Sequence, residues 1–451
     1  MLRGTRSASD SLPPGPRLPR AVQMGLFNWR FAEFTERAHA RFGDTFTCRV
    51  GGLPESVLTK DRDAIRRLLT GDPLLKRSAN DQIRPIVGEH SMLVIEPQEH
   101  LARRKLLLSP FHGDHVRSHA RLIERLVSVE LDRIQAGEVV RMQSVAQALT
   151  LEVILQAVLG LSDARTRARL HEIFDAMNTP LGSLVLFMPQ LVRRSRWNLP
   201  AAPFWRLQDE FDALLADHIA ATRADPRLAE REDILAMMVL ARDEDGVGLD
   251  DGQLRDEMVT LIGAGHDTTA TSIAWGVELL AHNPAVAEKA REAEDAYMEA
   301  LVKEVLRIRT LLPIASARQV LEPFPIGRWT IPPGVTIWTN GHAVHNDPAI
   351  YPQPHVFRPE RFLEDPPDGY AFMPFGGGAH RCLGSALALL EMKVVLRAIL
   401  RRLEFGPTSD RIARPVRRHV TLAPKGGARV QILAKHAASG ASGEPVPALP
   451  V

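Results

Sequence analysis

The sequence predicts a mainly helical fold with a smaller β region, of the α+β class. Apolar residues recur at helical spacing through much of the chain, whereas strand-like segments are short and lie near both ends. The strands do not alternate with helices, which disfavours a parallel sheet with crossover helices. We therefore expect a helical domain with small sheets that are formed from both ends of the chain.

Recognisable breaks separate the helical and strand-like segments. The predicted helices are 28–41, 113–134, 144–159, 201–223, 250–281, 296–308 and 382–402. The predicted strands are 44–50, 55–59, 315–320, 335–339 and 418–434. Turns at Gly51-Gly52 and Pro332-Pro333-Gly334 separate strands, and Pro284 ends the helix that begins near Asp250.

The chain is predicted to hold one folded domain between two tails. Residues 1–20 are rich in Pro, Ser and Arg and are expected to form a flexible N-terminal tail. Residues 436–451 are mostly small residues and prolines, which is typical of a disordered end. No linker interrupts residues 21–435, which we expect to be a single catalytic domain.

Composition excludes several classes of function. The 451 residues are 45% hydrophobic and 24% charged, as in a globular protein with a large core. A formal net charge of +2 provides no field that would recruit nucleic acid. The longest apolar stretch, 181–192, is shorter than the roughly 20 residues that span a bilayer. We expect a soluble, cytoplasmic, monomeric protein with no transmembrane anchor and no nucleic-acid partner.

The two cysteines, Cys48 and Cys382, are too few for a disulfide framework, a four-cysteine zinc site or an iron–sulfur cluster. Cys382 lies in a glycine-rich segment, residues 375–384, with the sequence Phe-Gly-Gly-Gly-Ala-His-Arg-Cys-Leu-Gly. Glycines allow the backbone to approach a bulky, flat group. The apolar run that follows predicts a helix, and a cysteine at a helix N-terminus is favoured as a thiolate.

Two other functions of this segment are less consistent with its residues. A turn that holds a buried, inert cysteine would not require Phe, three Gly and His at these offsets. A Cys–His hydrolase would require a histidine within side-chain reach, and not merely two residues upstream of the cysteine.

A second motif lies in the middle of the predicted helix 250–281, where residues 264–269 read Ala-Gly-His-Asp-Thr-Thr. Gly263, Gly265 and a mid-helix threonine all lower helix propensity, and a threonine hydroxyl can bond back to the carbonyl four residues earlier. This predicts a distorted turn that presents Asp267 and Thr268 beside a ligand. A polar patch on a core helix would explain one such residue but not the cluster.

Both motifs match the cytochrome P450 family at every specified position, as F-G-x-G-x-[HR]-x-C-x-G and A-G-x-[DE]-T. A third pattern has the same order as the family's structural triad: Glu304 and Arg307 in an E-x-x-R segment, then Arg361 in P-E-R-F. On its own, E-x-x-R usually marks a solvated pair on one helix face. The resemblance covers roughly residues 12–434 and implies a triangular helical domain around a buried haem, plus small sheets.

The resemblance also implies site residues. The Cys382 thiolate would be the axial ligand of the iron of haem b, and Asp267 and Thr268 would deliver protons for the activation of O2. Propionate partners would be His100 and Arg104 on one side and Arg318 and His380 on the other. Further cofactor contacts would come from Ala264, Phe375 and Gly384.

The implied reaction inserts one oxygen atom from O2 into a hydrophobic small molecule such as a fatty acid, terpenoid or steroid. Electrons would come from NAD(P)H through separate proteins, a ferredoxin and a ferredoxin reductase, as in soluble bacterial members of the family. Lys105 and its neighbour Arg103 are candidate docking charges for such a donor. Substrate contacts are expected from 174–192 and from Ile86, Val87, Leu93, Ile262, Leu312 and Ile314.

Two alternatives remain at this point. A haem-thiolate peroxygenase or isomerase would use the same cysteine but would dispense with proton delivery. A non-catalytic haem-binding protein would need neither the acid–alcohol pair nor a closed apolar pocket. The intact Asp267-Thr268 pair argues against the peroxygenase or isomerase, and turnover that depends on O2 would separate all three functions.

Overall fold

The structure of the protein, a computed structural model, describes residues 12–50, 55–72, 76–78, 80–111, 113–177 and 202–437. These residues are mainly helical with small sheets, as the periodicity of the sequence predicts. Among the helices in these ranges, none has the length and apolar character needed to cross a membrane.

Helices lie where the sequence predicts them, but several begin or end at other residues than predicted. The α-helices are Arg20–Trp29, Phe31–Phe42, Arg62–Thr70, Arg84–Val87, Pro97–Leu108, Asp114–Ser118, Ala120–Arg133, Met142–Val153, Ala164–Met177, Ala202–Arg223, Ile234–Leu240, Asp251–Ala281, Pro284–Arg291, Asp295–Ile308, Gly341–His345, Arg361–Glu364 and Ser385–Arg402. The predicted helix 28–41 is interrupted at Arg30, whose φ of −141° is not helical. The predicted helix 144–159 continues beyond Val153 as a π-helix, Ile154–Val158.

The strands form four small sheets. They are β1 (Thr45–Cys48), β2 (Ser56–Thr59), β3 (Lys76–Ser78), β4 (Val139–Arg141), β5 (Ile314–Val320), β6 (Phe324–Ile326), β7 (Trp329–Ile331), β8 (Thr336–Asn340), β9 (Leu403–Pro407), β10 (Pro415–Arg418), β11 (Thr421–Pro424) and β12 (Arg429–Lys435). The largest has the order β1-β2-β8-β5-β3, and the others are β4-β12-β9, β10-β11 and β6-β7. The largest sheet pairs β2 with β8 in parallel, from Ser56 opposite Thr336 to Thr59 opposite Thr339, so distant parts of the chain meet in it as predicted.

By its contacts the chain divides into two compact units. The first unit comprises Met1–Ala79, Glu96–Leu101 and Leu306–Cys382. The second unit comprises Asn80–Ile95, Ala102–Val305 and Leu383–Val451. Neither unit is one continuous piece of sequence, and the single catalytic domain over 21–435 stays a prediction.

In the first unit, part of the predicted N-terminal tail is folded. The Thr47 hydroxyl on β1 donates to the Pro13 carbonyl at 2.6 Å, and the Gln23 amide donates to the Pro16 carbonyl at 3.1 Å. Leu12 is buried in a core cluster with Val57, Leu68 and other apolar side chains. The folded chain therefore begins before residue 20, because polar groups of the sheet and of the first helix hold the proline-rich segment.

Cys48 belongs to the same part of the first unit. It is buried on β1 beside the Gln23 side chain, 3.7 Å from its carbonyl oxygen. Burial raises the pKa of the Cys48 thiol to about 12. This cysteine is therefore held as an inert thiol.

The centre of the second unit is the long helix Asp251–Ala281. Its start is fixed by a capping box, in which the Asp250 carboxylate accepts from the Gln253 N–H while the Gln253 side chain accepts from the Asp250 N–H. The helix packs against Met142–Val153, Ser385–Arg402 and strand β11. Trp275 is buried at this last contact and donates its indole N–H to the Leu422 carbonyl at 2.7 Å. A buried, capped helix of this kind is a rigid support for functional side chains.

One carboxyl group in this core has no ion-pair partner among the described residues to offset its burial. Glu391, on Ser385–Arg402, is buried, and its Oε1 accepts no hydrogen bond from any side chain or backbone group in the described part of the chain. Burial raises the pKa of this carboxyl to about 8. The folded state therefore favours the protonated, neutral form of Glu391.

We expect Glu391 to make folding less favourable as the pH rises. Its pKa is higher in the folded than in the unfolded chain, so the stabilisation is full below pH about 4.5 and is lost as the pH rises through about 8. The slope for one group is up to about 1 kcal/mol per pH unit. Urea unfolding between pH 5 and 8 should show a flatter profile for Glu391→Gln than for the unmodified protein. The exposed control Glu124→Gln should keep the original slope, and an equal slope for Glu391→Gln would contradict the assignment.

Candidate active site

The cysteine loop, residues 375–384, owes its path to close contacts of glycine backbone in the first unit. Gly378 has a φ of +63°, and a Cβ added there would overlap the Leu69 carbonyl oxygen. A Cβ at Gly377 would lie 2.8 Å from the Leu69 side chain, and one at Gly376 would lie 3.0 Å from the Ala315 carbonyl. The loop therefore lies directly on the end of Arg62–Thr70 and the start of β5, which only glycines permit.

Cys382 is exposed, in contrast to Cys48. Its backbone N–H donates to the Phe375 carbonyl at 3.0 Å, which closes the loop upon itself. The helix that follows begins at Ser385 with Gly384 as its N-cap. The predicted helix start at 382 is therefore wrong by three residues, since the segment from Gly378 to Cys382 forms a short 3-10 turn and an extended step first. The cysteine precedes the helix and is not part of its first turn.

Arg318, on β5, provides the test of whether a charged cofactor fits this loop. Its side chain is buried, and within the described ranges it forms no ion pair with a carboxylate. One donor, Nη1, bonds to its neighbour's carbonyl, that of Ala317. Burial lowers the pKa of Arg318 to about 10, with no compensating negative charge. A buried cation of this kind calls for an anion, and a haem propionate is one.

Arg318 shares a small pocket with the cysteine loop. The pocket is lined by Leu68, Leu69, Gly71, Arg318, Gly377, Ala379 and His380. A buried arginine without a carboxylate partner in the described residues and an exposed thiol on the same loop are features that suit a haem with its propionates and its iron. The residues of the first unit therefore fit haem.

His100 and His380 also lie together in the first unit. Their rings stack with centroids 3.9 Å apart and an interplanar angle of 27°, and His100 is buried. The resemblance assigns them to opposite sides of the haem, whereas here they are in direct contact. Arg104 follows His100 by one turn on Pro97–Leu108 and is half-buried. The propionate assignments of these residues stay predictions.

The two arginines of the predicted triad are both buried in the first unit. Arg307 donates to the carbonyls of His345 and Pro354, each at 2.8 Å. Arg361 donates to the carbonyls of Pro352 and Val356, each at 3.2 Å. Both therefore satisfy backbone groups of the irregular segment between Gly341–His345 and Arg361–Glu364. Glu304 is fully buried one turn before Arg307 on Asp295–Ile308, and its place in the triad stays a prediction.

In the second unit, Asp267 lies in a cluster of donors that the sequence did not predict. Gln147 donates to its Oδ1 at 3.0 Å, and Arg418 Nε lies 3.4 Å from the same oxygen. His419 Nδ1 lies 3.8 Å from Oδ2, and the Thr421 hydroxyl donates to Oδ2 at 3.5 Å. No sequence spacing links these positions to the long helix, so only the folded chain identifies them.

The charge of this cluster determines the protonation state of Asp267. Burial alone would raise the pKa of the Asp267 carboxyl, but the hydrogen bond from His419 and the charge of Arg418 outweigh it and hold that pKa below its usual range. Asp267 is therefore ionised. The side chains of Asp267, Arg418 and His419 are all partly exposed, so the cluster lies in contact with solvent.

Thr268 and its neighbours form an open patch on the long helix. The Thr268 hydroxyl donates to the Ala264 carbonyl at 2.6 Å, which is the back-bond predicted from the sequence. Gly263 and Ala264 are exposed, although the flanking parts of the helix are buried. The helix nevertheless continues unbroken through these residues, so the predicted distorted turn does not interrupt it. A small-residue patch next to a hydroxyl is open to a ligand.

Gly265 serves a different purpose from its neighbour Gly263. A Cβ at Gly265 would lie 2.9 Å from Cδ1 of Ile154, and Ile154 is the first residue of the π-helix Ile154–Val158. A Cβ at Gly263 would meet nothing within 4 Å. The π-helix therefore packs against the long helix at the motif itself, as such bulges often do near functional sites.

The predicted substrate residues have varied surroundings. Ile86 packs against Phe204 and Trp205, and Ile314 packs on the core cluster around Trp338. Val87 is buried, Ile262 is fully buried, Leu93 is half-buried and Leu312 is exposed. Residues 178–192 of the predicted stretch 174–192 lie outside the described residues.

One of the two predicted docking charges is wrong. Arg103 is buried in the second unit and pairs with the buried Glu257 at 3.1 Å. A guanidinium desolvated in this way and committed to a carboxylate is not offered to a protein partner. Lys105 is exposed, and its ammonium lies 3.5 Å from the exposed Glu244.

The glycine contacts of the cysteine loop lead to a stability prediction. Gly378→Ala forces a methyl group into the Leu69 carbonyl at a positive φ, so we expect it to lower the free energy of unfolding by more than about 2 kcal/mol. The control is Gly369→Ala, where a Cβ meets nothing within 4 Å and the change should cost less than about 1 kcal/mol. Denaturant unfolding of both variants measures the difference, and equal stabilities would refute the close contact.

Comparisons with known proteins agree with this geometry. The sequence profile of the family described as Cytochrome P450 matches residues 12–430. The predicted cytochrome P450 135B1 of Mycobacterium tuberculosis is 36% identical, with 97% of this chain and 94% of the relative covered. The predicted cytochrome P450 137 of the same species is 35% identical, over 94% of this chain and 92% of the relative.

Solved structures share the fold at lower identity. The retinoic acid-bound cyanobacterial CYP120A1 has a TM-score of 0.80 at 22% identity and covers 94% of this chain and 99% of its own. The haem domain of cytochrome P450DA has a TM-score of 0.79 at 20% identity, over 94% and 98% of the two chains.

A profile match over nearly the whole chain, together with relatives above 30% identity, identifies the family. Its members are oxidoreductases that use haem, O2 and electrons from NAD(P)H, which reach the haem through partner proteins. The cysteine loop and the buried Arg318 of this chain fit that cofactor. The chain belongs to the cytochrome P450 family, with haem b as its cofactor and monooxygenase chemistry as its general activity.

Proposed function

We propose that this chain inserts one oxygen atom from O2 into a hydrophobic small molecule, of the fatty-acid, terpenoid or steroid type, with electrons from a separate ferredoxin and ferredoxin reductase. The observation that carries the proposal is the cysteine loop, whose glycines lie on Leu69 and Ala315 while Cys382 stays exposed next to a pocket that contains Arg318.

The residues of the loop would hold the cofactor. The Cys382 thiolate would bind the haem iron, and Arg318 would neutralise a propionate, which supplies the negative charge that its buried guanidinium lacks. His100, Arg104 and His380 would donate to the propionates, while Phe375, Gly384 and Ala264 would contact the ring. Bound haem supplies the activation of O2 and the transfer of its oxygen.

Asp267 and Thr268 would manage the protons of the reaction. The Thr268 hydroxyl donates to Ala264, which leaves its oxygen as an acceptor at the open patch of the long helix. Asp267 is ionised and can take a proton only when Arg418 and His419 loosen their hold on it. Since both partners are partly exposed, protons would enter from solvent on that side and pass from Asp267 to Thr268.

A hydrophobic substrate is supported by the apolar character of the open patch. Gly263 and Ala264 carry no polar side-chain atoms, and Leu261 on the preceding turn is half-buried. A small, apolar helix face excludes water and allows a bulky apolar molecule to approach closely. Ile86, Val87, Leu93 and Leu312 are retained as proposed substrate contacts, whereas Ile262 and Ile314 are packed in cores and are proposed only as support for them.

Separate electron donors follow from the cysteine inventory. Cys48 is buried and inert, and Cys382 is assigned to the haem, so the chain has no thiolates left for an iron–sulfur centre. A ferredoxin, which carries its own iron–sulfur centre, would supply the electrons to the haem. Lys105 remains the proposed docking charge, although its pairing with the exposed Glu244 is worth little in water.

The ligand assignment is tested by the carbon monoxide difference spectrum of the reduced protein. We expect the long-wavelength band that gives the family its name, its loss in Cys382→Ala and its retention in the control Cys48→Ala. Retention of the band in Cys382→Ala would refute the assignment of the ligand.

Turnover assays then test the class of reaction. The expected result is product formation from O2 with a surrogate ferredoxin and ferredoxin reductase, for a substrate found by its shift of the haem spin state. Turnover with peroxide alone would identify a peroxygenase, and absence of turnover with any electron source would identify a haem-binding protein without catalysis.

Proton delivery is tested by coupling. Thr268→Ala removes the hydroxyl at the open patch, so we expect the hydrogen peroxide released per NAD(P)H consumed to rise several-fold. The matched control is Ser272→Ala, because Ser272 makes the same back-bond one turn later, to the Thr268 carbonyl at 3.0 Å, but is buried. Its coupling should remain that of the unmodified protein. If both variants release the same amount of peroxide, the hydroxyl of Thr268 is not specifically required.

A further inference from the structure

His345 connects the buried Arg307 with the segment that leads into the cysteine loop. It ends the short helix Gly341–His345 and is completely buried in the first unit. Its carbonyl accepts from Arg307 Nη1 at 2.8 Å. Its ring nitrogens contact two further groups, the Thr310 hydroxyl at 3.0 Å from Nδ1 and the Met373 N–H at 3.0 Å from Nε2.

The donors around the ring fix its tautomer. The Met373 N–H is a donor, so Nε2 is unprotonated and accepts. The Thr310 hydroxyl donates its own proton to the Arg307 carbonyl at 3.0 Å, so its oxygen accepts from Nδ1–H. Each donor in this series of hydrogen bonds around His345 therefore has an acceptor. Only the neutral form of His345 with its proton on Nδ1 allows this.

The charges around His345 agree with a neutral ring. Burial, together with the charges of the nearby Arg307 and His342, lowers the pKa of His345 to about 3. The Phe372 ring lies 5.7 Å away and covers the same side chain with an apolar group. The imidazole therefore remains a fixed hydrogen-bond connector throughout the physiological pH range.

The chain of hydrogen bonds continues from Met373 to the cysteine. The Met373 carbonyl accepts from the Gly376 N–H at 3.1 Å. Phe375 lies between them, and its carbonyl accepts from the Cys382 N–H at 3.0 Å. An uninterrupted path of hydrogen bonds and adjacent peptide groups thus joins Arg307, Thr310, His345, Met373 and Cys382 within one unit.

We propose that His345 is a positioning residue for the haem ligand, which fixes the Met373 backbone and thereby the turn that holds the Cys382 amide. The inference rests on the proposed assignment of Cys382 as the ligand. Without the His345 ring, the Met373 N–H would be buried without an acceptor, and this unmet hydrogen bond would favour displacement of the loop. The thiolate would then lose its fixed place and be protonated more readily.

Two substitutions of His345 separate positioning from mere space filling. The amide of asparagine reaches the place of Nδ1, and that of glutamine reaches the place of Nε2. His345→Asn therefore keeps a donor for Thr310 but leaves Met373 without its acceptor, whereas His345→Gln restores that acceptor. Thr310→Val, which is isosteric, removes the partner of Nδ1 without altering the volume of the core.

The control is another buried histidine of the same unit. His39 contacts the Gly43 carbonyl at 3.0 Å and the Asn340 amide at 3.1 Å, but no residue of the cysteine loop. His39→Asn therefore removes the buried contact of Nε2 with the Asn340 amide, just as His345→Asn removes the contact of Nε2 with Met373, without altering the path to Cys382.

Two readouts are measured on the full chain. The first is hydrogen exchange of the backbone amides of Met373, Gly376 and Cys382, in the haem-loaded and the haem-free protein. The second is the fraction of the carbon monoxide complex that shows the thiolate band. In His345→Asn we expect exchange at these amides to be at least about tenfold faster, together with a lower thiolate fraction. His345→Gln should restore both, Thr310→Val should lie between, and His39→Asn should leave both unchanged.

Other outcomes overturn the proposal. Equal losses in His345→Asn, His345→Gln and His39→Asn would reduce His345 to a packing residue, and unchanged exchange at the three amides would remove its connection to the loop. If the unmodified protein gave no thiolate band, the proposed ligand would fail, while the exchange measurement would still decide whether His345 fixes the loop. If His345→Asn does not fold, Thr310→Val alone decides by the same two readouts.

Discussion

The shape of the first unit depends on hydrogen bonds from two buried arginines to backbone carbonyl groups that no helix or strand satisfies. The segment between Gly341–His345 and Arg361–Glu364 follows neither a helix nor a strand, so most of its carbonyls have no regular partner. Arg307 and Arg361 supply the donors to the carbonyls of His345, Pro352, Pro354 and Val356. Gln353 adopts a φ of +50° within this segment, a conformation that side chains rarely take. The two guanidinium groups thus hold an irregular and strained backbone in one shape, and the chain continues from there through Arg361–Glu364 towards the cysteine loop.

The second unit deals with buried charge in a different way. Asp267 is a half-buried charge, and its compensation comes from residues at distant positions in the sequence, Gln147, Arg418 and His419. Each of these interactions stabilises the ionised carboxylate and opposes its protonation. A relay that begins from an ionised acid must first weaken those contacts. The strength of the Arg418 contact therefore limits how readily Asp267 accepts a proton. If Asp267 relays protons as proposed, the β10-β11 hairpin, which carries Arg418 and His419, would influence that step as much as the long helix does.

The sequence predicted those features whose signals are local. The long helix was predicted to within one residue at its start, since its polar cap and its periodicity lie in one window. The back-bond of Thr268 followed from the chemistry of one side chain. Local signals failed where distant segments determine the environment. In the sequence, Arg103 resembles a surface charge, yet it is buried and pairs with the Glu257 carboxylate. The sequence around residue 103 gives no sign of that distant partner. The start of the helix after Cys382 was misplaced because the glycines before it turn the backbone against Leu69 and Ala315.

The two cysteines differ in a way that makes the chain convenient for quantitative chemistry. Cys48 is buried and its thiol is held in the protonated form, whereas Cys382 is exposed. An alkylating reagent applied to the folded, haem-free chain therefore finds a single reactive thiol, which is the proposed iron ligand itself. If Cys382 binds the iron as proposed, the bound iron would mask that sulfur, and the amount of label incorporated would equal the fraction of chains without cofactor. Because Cys48 is buried on β1, labelling of Cys382 would measure the fraction of chains that hold haem. No cysteine would have to be removed from the sequence for this measurement.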